Sequence, residues 1–162
     1  MIRTGILTIS DKGSRGERID GTGPAIQEAL NADTYHVDYY KIIPDEMDLI
    51  CQELIYMCDD LNLDLILTNG GTGFSKRDVT PEATMKVVKR PTPGIPEAMR
   101  QMSLSITPKA MLSRATAGIR DNTLIINLPG SPKGAVENLN FVLPALPHGI
   151  EILQGTGGEC AR

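Results

Sequence analysis

Aromatic side chains are scarce in this chain: they make up 4% of its 162 residues, and tryptophan is absent. Platforms on which nucleic-acid bases stack need such rings, so few of them can form here. Sixteen Lys and Arg residues stand against twenty Asp and Glu residues, and the formal net charge is -4. A chain with this balance has no bulk positive field to attract a phosphate backbone. The composition therefore argues against nucleic acid as a partner.

Cysteines and long apolar runs are also few. The three cysteines, Cys51, Cys58 and Cys160, show no CxxC spacing, which argues against a disulfide framework or a structural zinc site. No apolar run approaches the roughly 20 residues of a membrane-spanning helix. The N-terminus shows no signal-peptide pattern. We therefore expect a single cytoplasmic domain that does not enter a membrane.

Several common catalytic motifs are missing. The sequence has neither a P-loop nor a GxGxxG motif after a strand, so P-loop NTPase and Rossmann dinucleotide chemistry are unsupported. His36 and His148 are the only histidines. No GxSxG nucleophile elbow accompanies them, although a Ser-His-Asp triad stays open as an alternative.

The apolar pattern alternates between strand-like and helix-like segments. Short apolar or β-branched runs predict strands over residues 2–9, 37–43, 64–68 and 123–128, with one more before a tight turn at Asp121-Asn122. Apolar residues at spacings of three and four predict helices. These helices begin near Thr22, Met47, Thr80, Pro96 and Ser131, and a last one covers residues 150–153. The helix near Met47 is expected to continue to Leu61, and the apolar stripe of the helix near Pro96 to reach Met102 and Ile106. Thr80 is the predicted N-cap of its helix.

This alternation predicts an α/β domain with a mostly parallel, partly mixed sheet that helices cover on both faces. The domain spans residues 1–154, and the Gly-rich residues 155–162 are predicted to form a flexible tail. In such sheets ligands bind at the carboxyl ends of the strands. Three loops predicted at those ends have ligand-like composition, and they begin at Ser10, Asn69 and Pro129.

The loop Gly70-Gly71-Thr72-Gly73 is the strongest of the three. Successive glycines allow a positive φ and a close approach of the backbone to a ligand, and their N–H groups can form an anion-binding nest. A ligand-free turn explains the composition equally well. Lys76 and Arg77 then offer cations for phosphate, and Asp78 could hold Mg²⁺ against that phosphate. Capping by Asp78, or a salt bridge to Arg77, is the structural alternative.

Two further segments carry candidate ligands. Asp45-Glu46 follows the second strand, and Asp45 is the better ligand because Glu46 would complement the dipole of the next helix. Pro129-Gly130-Ser131-Pro132-Lys133 combines a glycine, a hydroxyl, a helix N-terminus and a cation, and could take a second phosphate. Helix capping by Ser131 is the alternative, and Ser10-Asp11 carries the same ambiguity.

Together these segments are similar to the MogA/MoaB family of molybdenum cofactor biosynthesis proteins, which includes the G domain of gephyrin. The specific part is GGTG at residues 70–73 followed by RDVTPEA at residues 77–83. The resemblance covers nearly the whole chain, with GILTISD at 5–11, IPDE at 43–46, MRQMS at 99–103 and NLPGSPK at 127–133. The chain departs from the family pattern at Asn69, where Thr is more often found.

The resemblance implies a three-layer α/β/α domain that forms homotrimers and adenylylates molybdopterin. In that reaction the terminal phosphate of molybdopterin attacks the α-phosphate of Mg-ATP, and pyrophosphate leaves. A MoeA-type insertase would then exchange AMP for molybdate. The family's two essential aspartates fall on Asp45 and Asp78, whose implied role is to bind Mg²⁺ and orient the triphosphate. The loops at residues 70–73 and 129–133, with Ser10 and Asp11, would hold the phosphates of nucleotide and pterin.

A second hypothesis is a non-catalytic protein of the MoaB type that binds or delivers molybdopterin. Such a carrier would use the same nest but would not need Asp45 and Asp78, and both are present. A Mg²⁺-dependent nucleotide hydrolase is a third reading, against which the missing water-activating base argues. The SDKGS opening at 10–14 and the MRQMSL segment at 99–104 resemble MogA more than MoaB, which favours the adenylyltransferase.

Overall fold

A computed structural model describes residues 1–157 of the chain. The last five residues of the predicted tail, Cys160 among them, lie outside the described residues. Residues 155–157 bond back to the final helix, where the N–H groups of Thr156 and Gly157 both donate to the carbonyl of Glu151, each at 3.0 Å.

One mixed sheet organises the described residues. Its six strands are β1 Ile2–Ile9, β2 Tyr35–Ile43, β3 Leu65–Asn69, β4 Arg90–Pro91, β5 Ala117–Arg120 and β6 Thr123–Leu128. Their order across the sheet is β2-β1-β3-β6-β5-β4. The first four in this order run parallel, and β5 and β4 add an antiparallel edge. The predicted mostly parallel, partly mixed sheet is confirmed.

Seven α-helices lie between or after the strands within residues 1–157. They are α1 Asp11–Ser14, α2 Thr22–Ala29, α3 Met47–Ile55, α4 Thr80–Val87, α5 Gly94–Leu104, α6 Pro132–Val142 and α7 Leu146–Leu153. A π-helical turn at Tyr56–Asp60 extends α3, and 3₁₀ turns lie at Pro108–Leu112 and Leu143–Ala145. Across residues 1–157 the helices are too short or too polar to span a bilayer.

The helices form two layers, one on each face of the sheet. Side chains alternate along the strands, so that Ile6 faces one apolar cluster with α2, α5, α6 and α7, while Leu7 faces the other with α3 and α4. Burying one such aliphatic side chain contributes about 1.5–3 kcal/mol. The three-layer α/β/α architecture is confirmed.

Some details of the sequence prediction are wrong. Helix α4 begins at Thr80 itself, and the Thr80 hydroxyl donates to the carbonyl of Gly70 at 2.9 Å instead of capping the helix. That carbonyl is buried and needs a donor, which outweighs the cap. Met102 and Ile106, predicted on the buried stripe of α5, are 49% and 52% exposed, and Ile106 lies beyond the end of that helix. The regular α-helix predicted from Met47 to Leu61 ends at Ile55.

The parallel strands place the candidate loops together. β1, β2, β3 and β6 are neighbours that run in one direction. The loops that follow them therefore emerge at the same edge of the sheet, which we call the carboxyl edge.

Candidate functional site

A cleft of about 630 Å³ opens at the carboxyl edge, and we call it the main cleft. It brings together seven of the residues that the sequence predicts for the site: Ser10, Asp45, Gly70, Gly71, Asp78, Gly130 and Ser131. These residues come from loops after four different strands. The parallel sheet is what assembles them.

A second cleft of about 320 Å³ lies beside the first, and we call it the side cleft. Three further residues predicted for the site, Thr72, Gly73 and Pro129, line it together with the shared Ser131. Its other polar residues include Arg100, Lys109, Ser103 and Asn138. The two clefts therefore meet along the loop at residues 70–73 and at the Ser131 turn.

The glycine loop between β3 and α4 has the backbone of a nest. Gly70 and Gly71 have φ angles of +95° and +67°. A Cβ on Gly71 would collide with the Thr80 hydroxyl and lie 3.1 Å from Asp45 Oδ1. Among the described residues no acceptor pairs with the N–H groups of Gly71 and Thr72. Gly73 has no positive φ, so the conformational need for glycine ends before it.

Asp78 shapes this loop and also lines the main cleft. Its Oδ2 accepts hydrogen bonds from the N–H groups of Gly73 and Ser75, each at 3.1 Å. Within residues 1–157 no donor reaches its Oδ1. The capping alternative is therefore real, but it uses one oxygen and leaves the other free. Arg77 pairs with other carboxylates, not with Asp78.

Asp45 is held by a reciprocal pair of bonds with Asp11. Its Oδ2 accepts from the Asp11 N–H at 2.9 Å, and its own N–H donates to Asp11 Oδ1 at 3.1 Å. Burial raises the pKa of the Asp45 carboxyl, and the negative charges of Asp11 and Asp78 raise it further. The arrangement therefore concentrates negative charge that a cation would relieve.

Arg77 neutralises the carboxylates next to that charge. Its guanidinium donates twice to Asp11, at 2.9 and 3.0 Å, and once to Glu46 at 2.7 Å. These bonds raise the pKa of Arg77 and lower that of Asp11. Both carboxylate oxygens of Asp11 thus accept hydrogen bonds from Arg77, and Asp11 does not line either cleft.

The donor set suits magnesium. Among the described residues no group of three or more His, Cys, Asp or Glu side chains could hold a metal ion by itself. Mg²⁺ is commonly bound by one or two carboxylates together with substrate phosphates, not by a full protein cage. Asp45 and Asp78 face one cleft, and each keeps an Oδ1 that no described residue donates to. The residues present therefore fit Mg²⁺ held jointly with a phosphorylated ligand.

Asp20 is a cleft residue that the sequence analysis missed. Its Oδ1 accepts from the N–H groups of Thr22 and Gly23, at 2.8 and 3.1 Å. Its Oδ2 accepts from the hydroxyls of Thr8 and Tyr40, at 2.5 and 2.6 Å. Although burial opposes it, these four bonds lower the pKa of Asp20. Burial and the neighbouring carboxylate raise the pKa of Tyr40 to about 12. An Asp directly before the Gly-Thr-Gly-Pro helix start was the available signal.

Asn69 joins the same network. Its amide donates to the Thr8 hydroxyl at 2.9 Å, and Thr8 in turn donates to Asp20. The position at which the chain departs from the family pattern thus supports the wall of the main cleft.

Arg114 is a second residue that no local sequence signal indicated. Its guanidinium donates to the carbonyls of Gly73 and Asp78, each at 2.8 Å, and pairs with Glu82. It therefore clamps both ends of the segment that carries Asp78. Its distance along the chain from that segment hid the role.

Ser10 and Ser131 have structural roles as helix caps, whereas Lys133 is exposed to solvent. The side chains of Ser10 and Ser131 accept from the N–H groups of Gly13 and Gly134, at 3.0 and 3.2 Å, so both cap helices while lining the main cleft. Lys133 is 84% exposed, lies 3.9 Å from Glu137, and does not line either cleft.

These features define an α/β protein whose carboxyl edge has the cleft and the glycine nest that suit a phosphorylated ligand. A family described as a probable molybdopterin binding domain matches residues 5–148. The molybdopterin adenylyltransferase of Helicobacter pylori is 48% identical over 95% of this chain and 89% of its own length. That of Escherichia coli K12 is 40% identical over 99% and 89%. The crystal structure of the molybdopterin biosynthesis enzyme MoaB from Thermus thermophilus is 53% identical, covers 97% of this chain and 99% of its own, and superposes with a TM-score of 0.92.

The chain belongs to this molybdopterin-binding family of molybdenum cofactor biosynthesis proteins. The predicted family resemblance is confirmed. The assignment of the chain to the MogA subtype stays a prediction, because solved structures named MoaB and MogA both superpose well on it.

Proposed function

We propose that this chain is a molybdopterin adenylyltransferase, which transfers AMP from ATP to the phosphate of molybdopterin and releases pyrophosphate. One observation carries the proposal. Asp45 and Asp78 each present a carboxylate oxygen without a donor to a cleft whose floor is the glycine nest. A carrier of molybdopterin needs the nest but has no use for two converging carboxylates.

The chemistry requires no nucleophilic side chain, because the substrate's own phosphate attacks. Transfer at phosphorus depends mostly on positioning and on neutralising charge. The unpaired N–H groups of Gly71 and Thr72 can donate to phosphate oxygens. The N-terminus of α4 follows the loop and adds its positive dipole end.

The two clefts suggest where the substrates bind. We propose that ATP occupies the larger main cleft and molybdopterin the side cleft, which the cations Arg100 and Lys109 line. The phosphates would then meet at the loop of residues 70–73 and at Ser131, which both clefts share. Lys133 remains a proposed phosphate contact at the rim of that turn.

We propose Asp45 and Asp78 as the holders of Mg²⁺. When bound, the ion would neutralise the triphosphate and align its α-phosphate. Without a cation, like charges at about 4 Å repel by roughly 4 kcal/mol at an effective dielectric of 20. The carboxylates would therefore repel ATP unless a cation is shared between them.

Calorimetric titration with and without EDTA tests this proposal. We expect ATP binding to require Mg²⁺ or Mn²⁺ and molybdopterin binding to be independent of it. Formation of adenylyl-molybdopterin from molybdopterin and Mg-ATP should follow the same metal requirement. Equal ATP affinity in EDTA would contradict the metal role, and molybdopterin binding without product would favour the carrier.

We further propose a homotrimer whose product passes to a MoeA-type insertase in the cytoplasm, where ATP is supplied. An exposed apolar surface supports an interface between copies. Five apolar residues between positions 102 and 112 have 45% or more of their surface exposed: Met102, Leu104, Ile106, Met111 and Leu112. Such surface commonly marks a contact between proteins. Analytical ultracentrifugation should give three times the mass of 17.5 kDa, and a monomer at micromolar concentration would refute the trimer.

A further inference from the structure

The loop between α1 and α2 supplies one wall of the main cleft. Arg18, Ile19 and Asp20 line the cleft from this loop. Three carboxylates, those of Asp20, Asp45 and Asp78, line the same space. Of the described residues, Arg18 is the single Lys or Arg that lines the main cleft.

Arg18 has no partner within residues 1–157, unlike the two nearby arginines, Arg15 and Arg77. Arg15, three positions earlier, pairs with Glu17 at 2.9 Å, and Arg77 is engaged by Asp11 and Glu46. Arg18 makes no hydrogen bond or ion pair with any described side chain, and it is exposed. A guanidinium in this position keeps all its donors for a ligand.

We propose that Arg18 binds the β- and γ-phosphates of ATP, and so contacts the group that leaves. This inference rests on the proposed adenylyl transfer and adds a residue to it. The direction of attack supplies the argument. The molybdopterin phosphate approaches from the side cleft, and in-line displacement places the leaving group on the far side of the α-phosphorus. Arg18 lines the main cleft and not the side cleft, so it is available to a leaving group that points away from the side cleft.

The step balances without any further reactant. An oxygen of the molybdopterin phosphate forms a bond to the α-phosphorus of ATP. The bond from the α-phosphorus to the bridging oxygen of the β-phosphate breaks, and its electron pair leaves with pyrophosphate. Arg18 stabilises the charge that grows on that group, while Asp45 and Asp78 would hold the cation in the same cleft.

Binding of two nucleotides separates this role from a structural one. We compare Arg18→Gln with the matched control Arg15→Gln, which removes the same charge from the same loop. The ligands are α,β-methylene ATP with Mg²⁺, which cannot transfer AMP, and AMP itself. Arg18→Gln should weaken binding of the analogue by roughly tenfold to a hundredfold, the value of a hydrogen bond to a charged group. It should leave AMP binding and the melting temperature unchanged.

The remaining outcomes are also decisive. Arg15→Gln should change neither affinity, and Arg18→Lys should restore part of the loss. Equal weakening of AMP and the analogue would overturn the inference, because Arg18 would then act on the nucleoside or the fold. No weakening in Arg18→Gln would overturn it as well, while the proposed function stood. If the unsubstituted chain binds neither nucleotide, the proposed function fails, and the inference fails with it.

Discussion

Acidic clefts lie at both edges of the sheet, and they differ in what their carboxylates contact. At the amino edge, the side of the sheet on which the parallel strands β3 and β6 begin, a cleft of about 370 Å³ is lined by Asp59, Asp64 and Asp121. Asp59 pairs with Arg120 at 2.6 Å and Asp121 with Lys89 at 2.7 Å. Asp64 accepts from the Arg3 N–H at 2.7 Å and from the Gln154 amide at 2.5 Å. Each of these carboxylates has a partner.

At the carboxyl edge no described Lys or Arg forms an ion pair with Asp45 or Asp78. Arg77 engages Asp11 and Glu46, and Asp45 and Asp78 are left with backbone donors on one oxygen each. Similar composition thus gives a structural cluster at one edge and an unsatisfied pair at the other. The comparison teaches that vacant acceptor capacity, more than the number of acidic residues, distinguishes a ligand site.

Neutralising carboxylates at the two edges should give the largest difference in adenylyl transfer. Asp45→Asn and Asp78→Asn should each lower adenylyl transfer by about a hundredfold to a thousandfold, the usual cost of losing one electrostatic contact in a transition state. Molybdopterin binding should persist. The control Asp121→Asn at the amino edge should leave transfer unchanged. Product assays on the three variants check this, and parallel loss of molybdopterin binding would contradict the metal role.

The glycine nest should tolerate a methyl group poorly. Gly71→Ala places a side chain at φ +67°, which costs about 1–2 kcal/mol, and directs it at the Thr80 hydroxyl. We expect weaker nucleotide binding and a lower melting temperature. Gly73→Ala should cost less, because its Cβ meets Asp78 Oδ2 at 3.0 Å without a positive φ. Gly149→Ala, where a Cβ has open space, is the control, and normal ligand affinity in Gly71→Ala would reduce the loop to a turn.

Breaking the Arg114 clamp should have an intermediate effect. Arg114→Gln removes bonds to the carbonyls of Gly73 and Asp78, so transfer should fall by about tenfold to a hundredfold. Hydrogen exchange at residues 73–79 should speed up. Arg120→Gln breaks the equivalent clamp at the amino edge, between Asp59 and the carbonyl of Val87. It should leave exchange in that segment unaltered, and equal exchange in both variants would contradict the clamp.

The smallest expected effect is on stability. Because burial raises the pKa of Asp45 in the fold, its ionised form destabilises the folded state above that pKa. Asp45→Asn should therefore raise the melting temperature slightly near neutral pH in the absence of ligand. This gain should vanish below about pH 3.9, the ordinary value for Asp, where the carboxyl is protonated in both states. Thermal denaturation across pH measures this difference in melting temperature. A difference that grew in acid would contradict a raised pKa for Asp45.

The sequence was informative where local patterns decide the structure. Short apolar runs located the parallel strands, and apolar residues at spacings of three and four located most helices. The loops after those strands contained Asp45, Gly71 and Asp78. Contacts between distant segments had no such signal. Arg77 could be seen as a cation, but its choice of Asp11 and Glu46 depends on how three loops meet. Arg114 was missed for the same reason, since its contacts with Gly73 and Asp78 join segments far apart along the chain.

The antiparallel edge of the sheet has a practical consequence. Strands β4 and β5 contribute no described residue to either the main or the side cleft. The hairpin turn between β5 and β6 lies at the opposite end of the strands from both. Chemistry and scaffold are thus spatially separable, which makes the turn at Asp121-Asn122 a place to insert a fluorescent reporter or an affinity label while the reaction proceeds undisturbed.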